Sequence, residues 1–133
     1  MINFLLVFSD WAILALRIIL GLVLIFHGYP KIKNLKKNAK DFNKMGFKPG
    51  MFWGSLVAIL EVVGGVALIA GFLTQTLAII FIVQFIVIML TIKRNAGFKG
   101  IEIDLLIVGG LLVLVTIGGG VYSLDNFLGL LLY

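Results

Sequence analysis

The sequence contains no cysteine and a single histidine, His27, among its 133 residues. The absence of cysteine excludes disulfides, thiolate nucleophiles, iron–sulfur ligation and cysteine-type zinc sites within this chain. One histidine and scattered carboxylates do not form a recognisable metal-ligand spacing, and haem held by two histidines is excluded. We therefore expect no metal and no covalently bound cofactor.

Charged residues are also scarce, at 13%, whereas hydrophobic residues make up 62% of the chain. These proportions lie far outside the range of soluble proteins and indicate that lipid is the solvent for most of the surface. Because a spanning helix needs about 20 apolar residues, 133 residues leave room for four spans and short loops. The composition predicts an all-α, polytopic membrane protein: one domain over residues 1–133, folded as a four-transmembrane-helix bundle.

Apolar runs place the four spans at about residues 11–29, 51–71, 74–92 and 101–117. Ser9 and Asp10 are typical N-cap residues for the first span, and Pro30 should end it because proline disfavours the helix before it. The first span lacks the basic region and the cleavage site of a signal peptide, so we expect it to be retained. The turn at residues 72–74 is so short that spans two and three should be antiparallel neighbours.

Seven lysines lie between the first two spans, within residues 31–48. Four less polar residues in this segment recur at helical spacing: Leu35, Ala39, Phe42 and Met45. A short amphipathic helix at the membrane interface and a plain solvated basic loop both fit this pattern.

The basic residues indicate the orientation in the membrane. Of the eleven lysines and arginines, seven lie within residues 31–48 and three within residues 93–99. The positive-inside rule places both loops in the cytoplasm and both termini outside, as expected for a multi-pass protein of the cytoplasmic (inner) membrane. Since the positive charge is explained by topology, nucleic-acid binding is not expected.

Polar residues inside the spans carry most of the chemical information, because a charge in hydrocarbon costs about 2.5–3.5 kcal/mol on insertion scales. The candidates are Arg17, His27, Glu61, Gln84, Glu102 and Asp104. Counting helical rise from the span ends places Arg17 and Glu61 about one turn apart in depth, which predicts an ion pair near the midplane. Gln84 falls at a similar depth and should complete a polar cluster across helices. This cluster fits a ligand site and structural packing about equally.

His27, Glu102 and Asp104 fall at a comparable depth near the cytoplasmic end. The two acids are two residues apart on one helix, so at most one should face His27 inside the bundle. A protonatable pair there would suit quinone chemistry or proton movement. The alternative is capping of the fourth span by acids in its first turn, which is favoured for Asp104 more than for Glu102.

Six segments with recognisable motifs follow one another along the chain: residues 17–21, 26–31, 42–47, 61–65, 68–74 and 118–125. Taken together and in this order, they resemble the DoxX/DoxD-like membrane proteins. The resemblance implies a four-helix membrane bundle and, for some members, association with quinone-linked sulfur oxidation or with terminal oxidase complexes. The motif positions that match are Arg17, His27, Gly28, Glu61, Gly64, Gly65, Tyr122 and Asp125.

The leading hypothesis is a redox-associated subunit with an intramembrane site for a quinone or another small ligand. Its ligand-binding residues would be Arg17, His27, Glu61, Gln84 and Glu102, whereas Gly28, Gly64, Gly65, Tyr122 and Asp125 would be structural. Any enzymatic role would be that of an accessory subunit of a quinone-linked oxidoreductase, with lipid, a partner redox subunit or a second copy as partners. The alternative is a non-catalytic scaffold or assembly factor with a structural ion pair, and a small transporter ranks last.

Overall fold

The computed structural model describes residues 3–91, 95 and 97–129, which form helices joined by short turns, with no strand in these ranges. The helices are α1 (Asn3–Leu6), α2 (Ser9–Lys33), α3 (Leu35–Lys44), α4 (Gly50–Ala70), α5 (Thr74–Thr91), α6 (Gly97–Ile117) and α7 (Leu124–Leu128). Four of them, α2, α4, α5 and α6, are long and apolar enough to cross a membrane. The predicted all-α bundle of four spans is confirmed.

The two ends of the bundle differ in chemistry. We call the end that carries α3 and the end of α2 the Lys-rich end, because the lysines of residues 31–48 lie there. We call the opposite end the turn end, because it carries the short connection from α4 to α5 at residues 71–73, together with α7. Large apolar side chains of the four long helices, such as Val63 and Leu106, are exposed on the outer surface and would face lipid.

Two predictions about α2 are wrong. The helix runs through Pro30 to Lys33, since a proline in the last turn costs only one backbone hydrogen bond close to the helix end. Ser9 begins the helix and makes no capping hydrogen bond with its side chain. The chain enters from α1 in a nearly helical path, and the carbonyl of Phe8 accepts from the backbone N–H of Ala12 at 3.0 Å, so no side-chain cap is required.

The basic segment contains a real helix, α3, which packs against α4. Its buried face carries Asn38 and Ala39, and the Asn38 amide donates to the carbonyl of Gly54 at 2.8 Å. The side chain of Asn43 accepts from the backbone N–H of Gly50 at 2.8 Å and so satisfies one unpaired donor at the start of α4. The predicted amphipathic segment is confirmed, and it is tied to the bundle by polar contacts.

Glycine faces set the register between α2 and α4, which form the closest helix pair. A Cβ at Gly21 would lie 2.5 Å from the carbonyl oxygen of Gly65, and one at Gly28 would lie 2.8 Å from the Cβ of Glu61. Only glycine allows such an approach of two backbones. Gly28 therefore lies opposite Glu61, and Gly21 lies opposite Gly65, one turn further along α4.

The remaining core forms around α5 and α6, which also pack closely on each other. Phe81 of α5 is fully buried against Gly64, where an added Cβ would lie 2.6 Å from the ring. Leu24, Leu68 and Leu111 are also fully buried in this core. The antiparallel arrangement of α4 and α5 is as predicted, with an aromatic ring filling the space beside a glycine.

Candidate functional site

A cavity of about 450 Å³ opens at the Lys-rich end, where α2, α3, α4, α5 and α6 all contribute lining residues. Its polar lining residues are His27, Lys31, Asn38, Asp41, Glu61, Gln84 and Asp104. Its apolar lining residues are Phe42, Met45, Phe47, Trp53, Val57, Phe85, Val87 and Ile88. The cavity thus combines aromatic walls with a small set of polar groups.

Glu61 is the central polar residue of this cavity. Its side chain is almost completely buried, with 1% of its surface exposed. One carboxylate oxygen, Oε1, accepts from the Lys31 ammonium and from the Gln84 amide, both at 2.8 Å. The predicted cross-helix hydrogen bond of Gln84 is confirmed. Helices α2, α4 and α5 therefore meet at a single buried carboxylate oxygen.

The predicted Arg17–Glu61 ion pair is wrong: Lys31 takes the place of Arg17 beside Glu61. The reason is the glycine register, which puts Gly28 level with Glu61. Arg17 lies three turns earlier on α2, which is about 16 Å along the helix axis at 1.5 Å per residue. Counting depth from the outer ends of the apolar runs missed this offset, because it assumed that those ends are level, whereas Arg17 contacts the last residues of α4.

Arg17 instead holds the turn end together. It is fully buried, and its guanidinium donates to the carbonyls of Leu68 and Ile69 at 3.3 and 3.2 Å and to that of Tyr122 at 2.6 Å. The first two are among the last carbonyls of α4, at the negative end of its dipole, and that of Leu68 also accepts from the backbone N–H of Gly71 at 3.1 Å. Arg17 therefore stabilises the end of α4 and lies outside the cavity.

Asp125 completes this arrangement. Its carboxylate accepts from the backbone N–H groups of Leu73 and Thr74 at 2.6 and 2.7 Å, and so caps the start of α5. It is buried, and its negative charge lies near the Arg17 guanidinium. An acid at a helix N-terminus and a cation at a helix C-terminus are each stabilised by the helix dipoles. The structural role assigned to Tyr122 and Asp125 from sequence agrees with these contacts.

The acids of α6 are arranged differently from the expectation. Asp104 is buried and lines the cavity, whereas Glu102 is exposed and lies outside it. Placing Glu102 in the cluster was therefore wrong. Neither acid lies in the first helical turn, because α6 begins at Gly97, so the predicted dipole cap is also wrong. Residues that are two positions apart on a helix point to roughly opposite sides, and the packing of α6 directs Asp104 into the bundle.

His27 is exposed and lines the cavity together with Asp104, at the Lys-rich end where the sequence placed both residues. Its Nδ1 lies 2.8 Å from the carbonyl oxygen of Val23. A carbonyl oxygen only accepts hydrogen bonds, so Nδ1 carries the proton in this contact. In the neutral ring, Nε2 is then an acceptor.

Two buried oxygen atoms of the cavity residues lack a donor among the described residues. They are Oε2 of Glu61 and Oε1 of Gln84. An unsatisfied buried polar atom costs roughly 1–3 kcal/mol, so two of them in one cavity are unusual. A bound molecule that donated hydrogen bonds to these two atoms would gain binding free energy there.

Sequence reasoning missed Lys31 and the aromatic wall. Lys31 was grouped with the loop lysines, yet it lies one turn after His27 on the same helix face, a spacing that brings side chains together. The aromatic residues Phe42, Phe47 and Trp53 come from α3, the following loop and the start of α4. No local pattern marks them as neighbours of Glu61.

The family model for DoxX matches residues 12–94, well over half of the chain. The chain belongs to the DoxX family. The resemblance drawn from the ordered motifs is confirmed, and the matched region contains Arg17, His27, Lys31, Glu61 and Gln84.

Relatives of this DoxX-family chain include three bacterial proteins. The chain is 33% identical to the inner membrane protein YqjF of Escherichia coli (strain K12), over 90% of this chain and 94% of the relative. It is 29% identical to CatD of Bacillus subtilis (strain 168), described provisionally as an oxidoreductase, over 86% and 84%. It is 26% identical to the uncharacterised membrane protein Rv3486 of Mycobacterium tuberculosis (strain ATCC 25618 / H37Rv), over 86% and 80%. No solved structure matches the chain.

A second cavity of this DoxX-family chain, of about 320 Å³, is formed by α4, α5 and the turn between them. Its lining is apolar throughout, for example Leu60, Val63 and Leu77. It offers no hydrogen-bonding side chain and suits only hydrocarbon. Of these two cavities, the first is the one that polar side chains of the described residues line.

Proposed function

We propose that this DoxX-family protein is a redox-associated membrane subunit whose Lys-rich-end cavity binds a quinone or a similar small aromatic ligand. One observation carries the proposal: two buried oxygens, on Glu61 and Gln84, lack donors among the described residues and belong to side chains that line an aromatic-walled cavity. A ring with hydrogen-bond-donating substituents would fill the space between the walls and satisfy these atoms together.

The size and lining of the cavity support this proposal. Small-molecule sites are typically about 300–1,000 Å³, mostly apolar, with a few placed polar groups. The cavity, at about 450 Å³, falls in this range. Phe42, Phe47, Trp53 and Phe85 offer aromatic faces, and an aromatic ligand gains from offset or edge contacts with such rings.

The comparisons support the redox part of the proposal. One relative, CatD, carries a provisional oxidoreductase description, and another, YqjF, is named as an inner membrane protein. The chain contributes no cysteine to electron transfer, so electrons would be carried by the bound ligand and a partner redox subunit. The protein would then work as a subunit of a larger system.

The proposed location is the inner membrane, with the Lys-rich end in the cytoplasm. The positive-inside rule supports this orientation. Because the chain has no cysteine, Lys36→Cys and Asn126→Cys each introduce a single thiol at an exposed position, one at each end. In spheroplasts, a membrane-impermeant maleimide should label Asn126→Cys at once and Lys36→Cys only after permeabilisation. The reverse pattern would overturn the orientation.

Ligand binding can be measured by tryptophan fluorescence, since the chain has two tryptophans at opposite ends. Trp53 lines the cavity, whereas Trp11 stacks near Tyr122 with ring centroids 4.8 Å apart. In a Trp11→Phe variant in lipid nanodiscs, a short-tailed quinone should quench Trp53 with a saturable dependence on concentration. In a Trp53→Phe variant, Trp11 should show only the linear quenching caused by quinone dissolved in lipid.

A matched pair of α5 variants tests the site itself. Gln84→Met keeps the side-chain length but removes the amide oxygen that lacks a donor, and should weaken the saturable quenching by a hydrogen-bond-donating ligand, such as the short-tailed quinol, by about tenfold. Val83→Met alters the exposed neighbouring position and should leave it unchanged. Equal, non-saturable quenching of Trp53 and Trp11 would overturn the proposed site.

The second candidate function is a non-catalytic scaffold, and the closed Lys31–Glu61 ion pair favours it. Breaking such a pair can destabilise a bundle without any ligand being involved. Glu61→Leu separates the two functions, because it removes both carboxylate oxygens and adds no new donor. If the variant keeps its thermal stability but loses saturable ligand binding, the scaffold function fails. If it loses stability while the folded fraction still binds the ligand as tightly as before, the ligand-site function fails.

A further inference from the structure

The donor groups and the acceptor atoms of the cavity differ in how far they are satisfied. Each amide or ammonium group in the lining already donates to one acceptor: Lys31 and Gln84 donate to Glu61 Oε1, and Asn38 donates to the carbonyl of Gly54. The Lys31 ammonium keeps further N–H donors. The orientation of the Gln84 amide follows from its contact with Glu61, because turning it over would place its oxygen against a carboxylate oxygen.

The acceptors are in the opposite position. Glu61 Oε2 and Gln84 Oε1 are buried and have no donor among the described residues. His27 uses Nδ1 toward Val23, so the neutral ring presents Nε2 as a third acceptor. Only 1% of the Glu61 surface is exposed, so a second carboxylate oxygen without a donor is energetically costly.

The charge of Glu61 acts in the same direction. A ligand hydroxyl that donates to a carboxylate oxygen makes a charge-assisted hydrogen bond, which is stronger than one to a neutral acceptor.

We propose that the cavity recognises the reduced, hydroxyl-bearing form of an aromatic ring, such as a quinol or another dihydroxy aromatic, more tightly than the oxidised quinone. The inference rests on the proposed function, because it names which form of the ligand the same cavity selects. A quinol hydroxyl donates to Glu61 Oε2 or Gln84 Oε1, whereas a quinone carbonyl only accepts and leaves both of these atoms without a donor. Selection follows from matching a donor to buried acceptors, the kind of contact that discriminates most strongly between similar ligands.

Three probes test this preference: a short-tailed quinol, the corresponding quinone, and the di-O-methyl ether of the quinol. The ether has the shape of the quinol and no hydroxyl donor, and it does not undergo the same redox reaction. Binding is measured by calorimetry in nanodiscs without oxygen, in the presence of a reductant that keeps the quinol reduced. Because the chain contains no cysteine, the reductant has no thiol or disulfide of the protein to act on. We expect the quinol to bind at least about tenfold more tightly than either of the other two.

The outcomes separate this inference from the proposed function. If the quinone or the ether binds as tightly as the quinol, the inference fails and the ligand site stands. If none of the three binds saturably, both the inference and the proposed function fail. A tenfold preference for the quinol supports both.

Substitution of Glu61 gives a second, independent test, because it replaces a hydrogen-bond acceptor in the cavity by a donor. In Glu61→Gln the amide oxygen should stay with Lys31 and Gln84, which turns the new NH₂ donor to the place of Oε2. The quinol preference should then fall by about tenfold or reverse toward the quinone. Should this variant not fold, Gln84→Met removes one acceptor while keeping side-chain length, and should lower the preference in the same direction. An unchanged preference in a folded variant would overturn the assignment of these oxygens.

Discussion

Lys31, in the last turn of α2, donates to the buried carboxylate of Glu61 on α4 across 2.8 Å. The same carboxylate oxygen accepts from Gln84 on α5, so one atom links three helices beside the cavity. Its partner oxygen on Glu61 has no donor among the described residues. Within the described residues, Oε1 of this carboxylate therefore holds the helices together, while Oε2 is left for a ligand.

Lys31→Met should destabilise the bundle by about 1–3 kcal/mol, because it leaves a buried carboxylate with the Gln84 amide as its remaining donor. The effect is below that of a fully buried pair, since the Lys31 side chain is 28% exposed. Lys36→Met, which removes an exposed lysine of the same segment, is the control and should cost less than about 0.5 kcal/mol. Chemical denaturation in detergent micelles measures both; equal stabilities for the two variants would contradict the ion pair.

Arg17→Lys should lower stability by about 2–4 kcal/mol, because a lysine cannot serve three carbonyls on two segments as a guanidinium does. Ligand affinity of the folded fraction should remain unchanged, since Arg17 lies three turns from Glu61 along α2. Denaturation and Trp53 quenching on the same preparation check both statements. A variant of normal stability with weakened ligand binding would instead place Arg17 in the ligand site.

Asp125→Ala should cost about 2 kcal/mol or more, because it removes the cap on two backbone N–H groups of α5 and a charge beside Arg17. Asp125→Asn keeps one acceptor and should cost less. The neighbouring Asn126→Ala is the control, because Asn126 is exposed and its side chain makes only a 3.3 Å contact with the carbonyl of Val121. From most to least stable, the variants should rank Asn126→Ala, Asp125→Asn and Asp125→Ala. Any other order argues against the cap.

Gly21→Ala should destabilise by about 1–3 kcal/mol or more, because its Cβ would meet the backbone of Gly65 and force α2 from α4. Gly109→Ala is the matched control: it lies within α6, and an added Cβ there meets nothing within 4 Å. Alanine is the better helix former, so this control should be neutral or more stable by up to about 1 kcal/mol. Similar effects of both substitutions would show that the register does not depend on the glycine contact.

Some contacts of the site followed directly from the sequence. Gln84 was placed beside Glu61 because a polar residue inside a span needs a polar partner, and few are present in the chain. The partner of Arg17 could not be chosen in this way, because backbone carbonyls at a helix end compete with carboxylates and carry no sequence signal. The choice between Glu102 and Asp104 likewise depended on how α6 is rotated, which neither residue reveals.

By itself the sequence determined that this chain folds as four membrane-spanning helices with a basic segment between the first two, because apolar length and charge scarcity are properties of the chain alone. Tertiary structure alone decided which charges meet. The close contact of Gly21 with Gly65 fixes the register of α2 on α4, and in this register Lys31, and not Arg17, lies beside Glu61. A shift of three helical turns changes no local pattern, yet it moves a buried charge from one end of the bundle to the other.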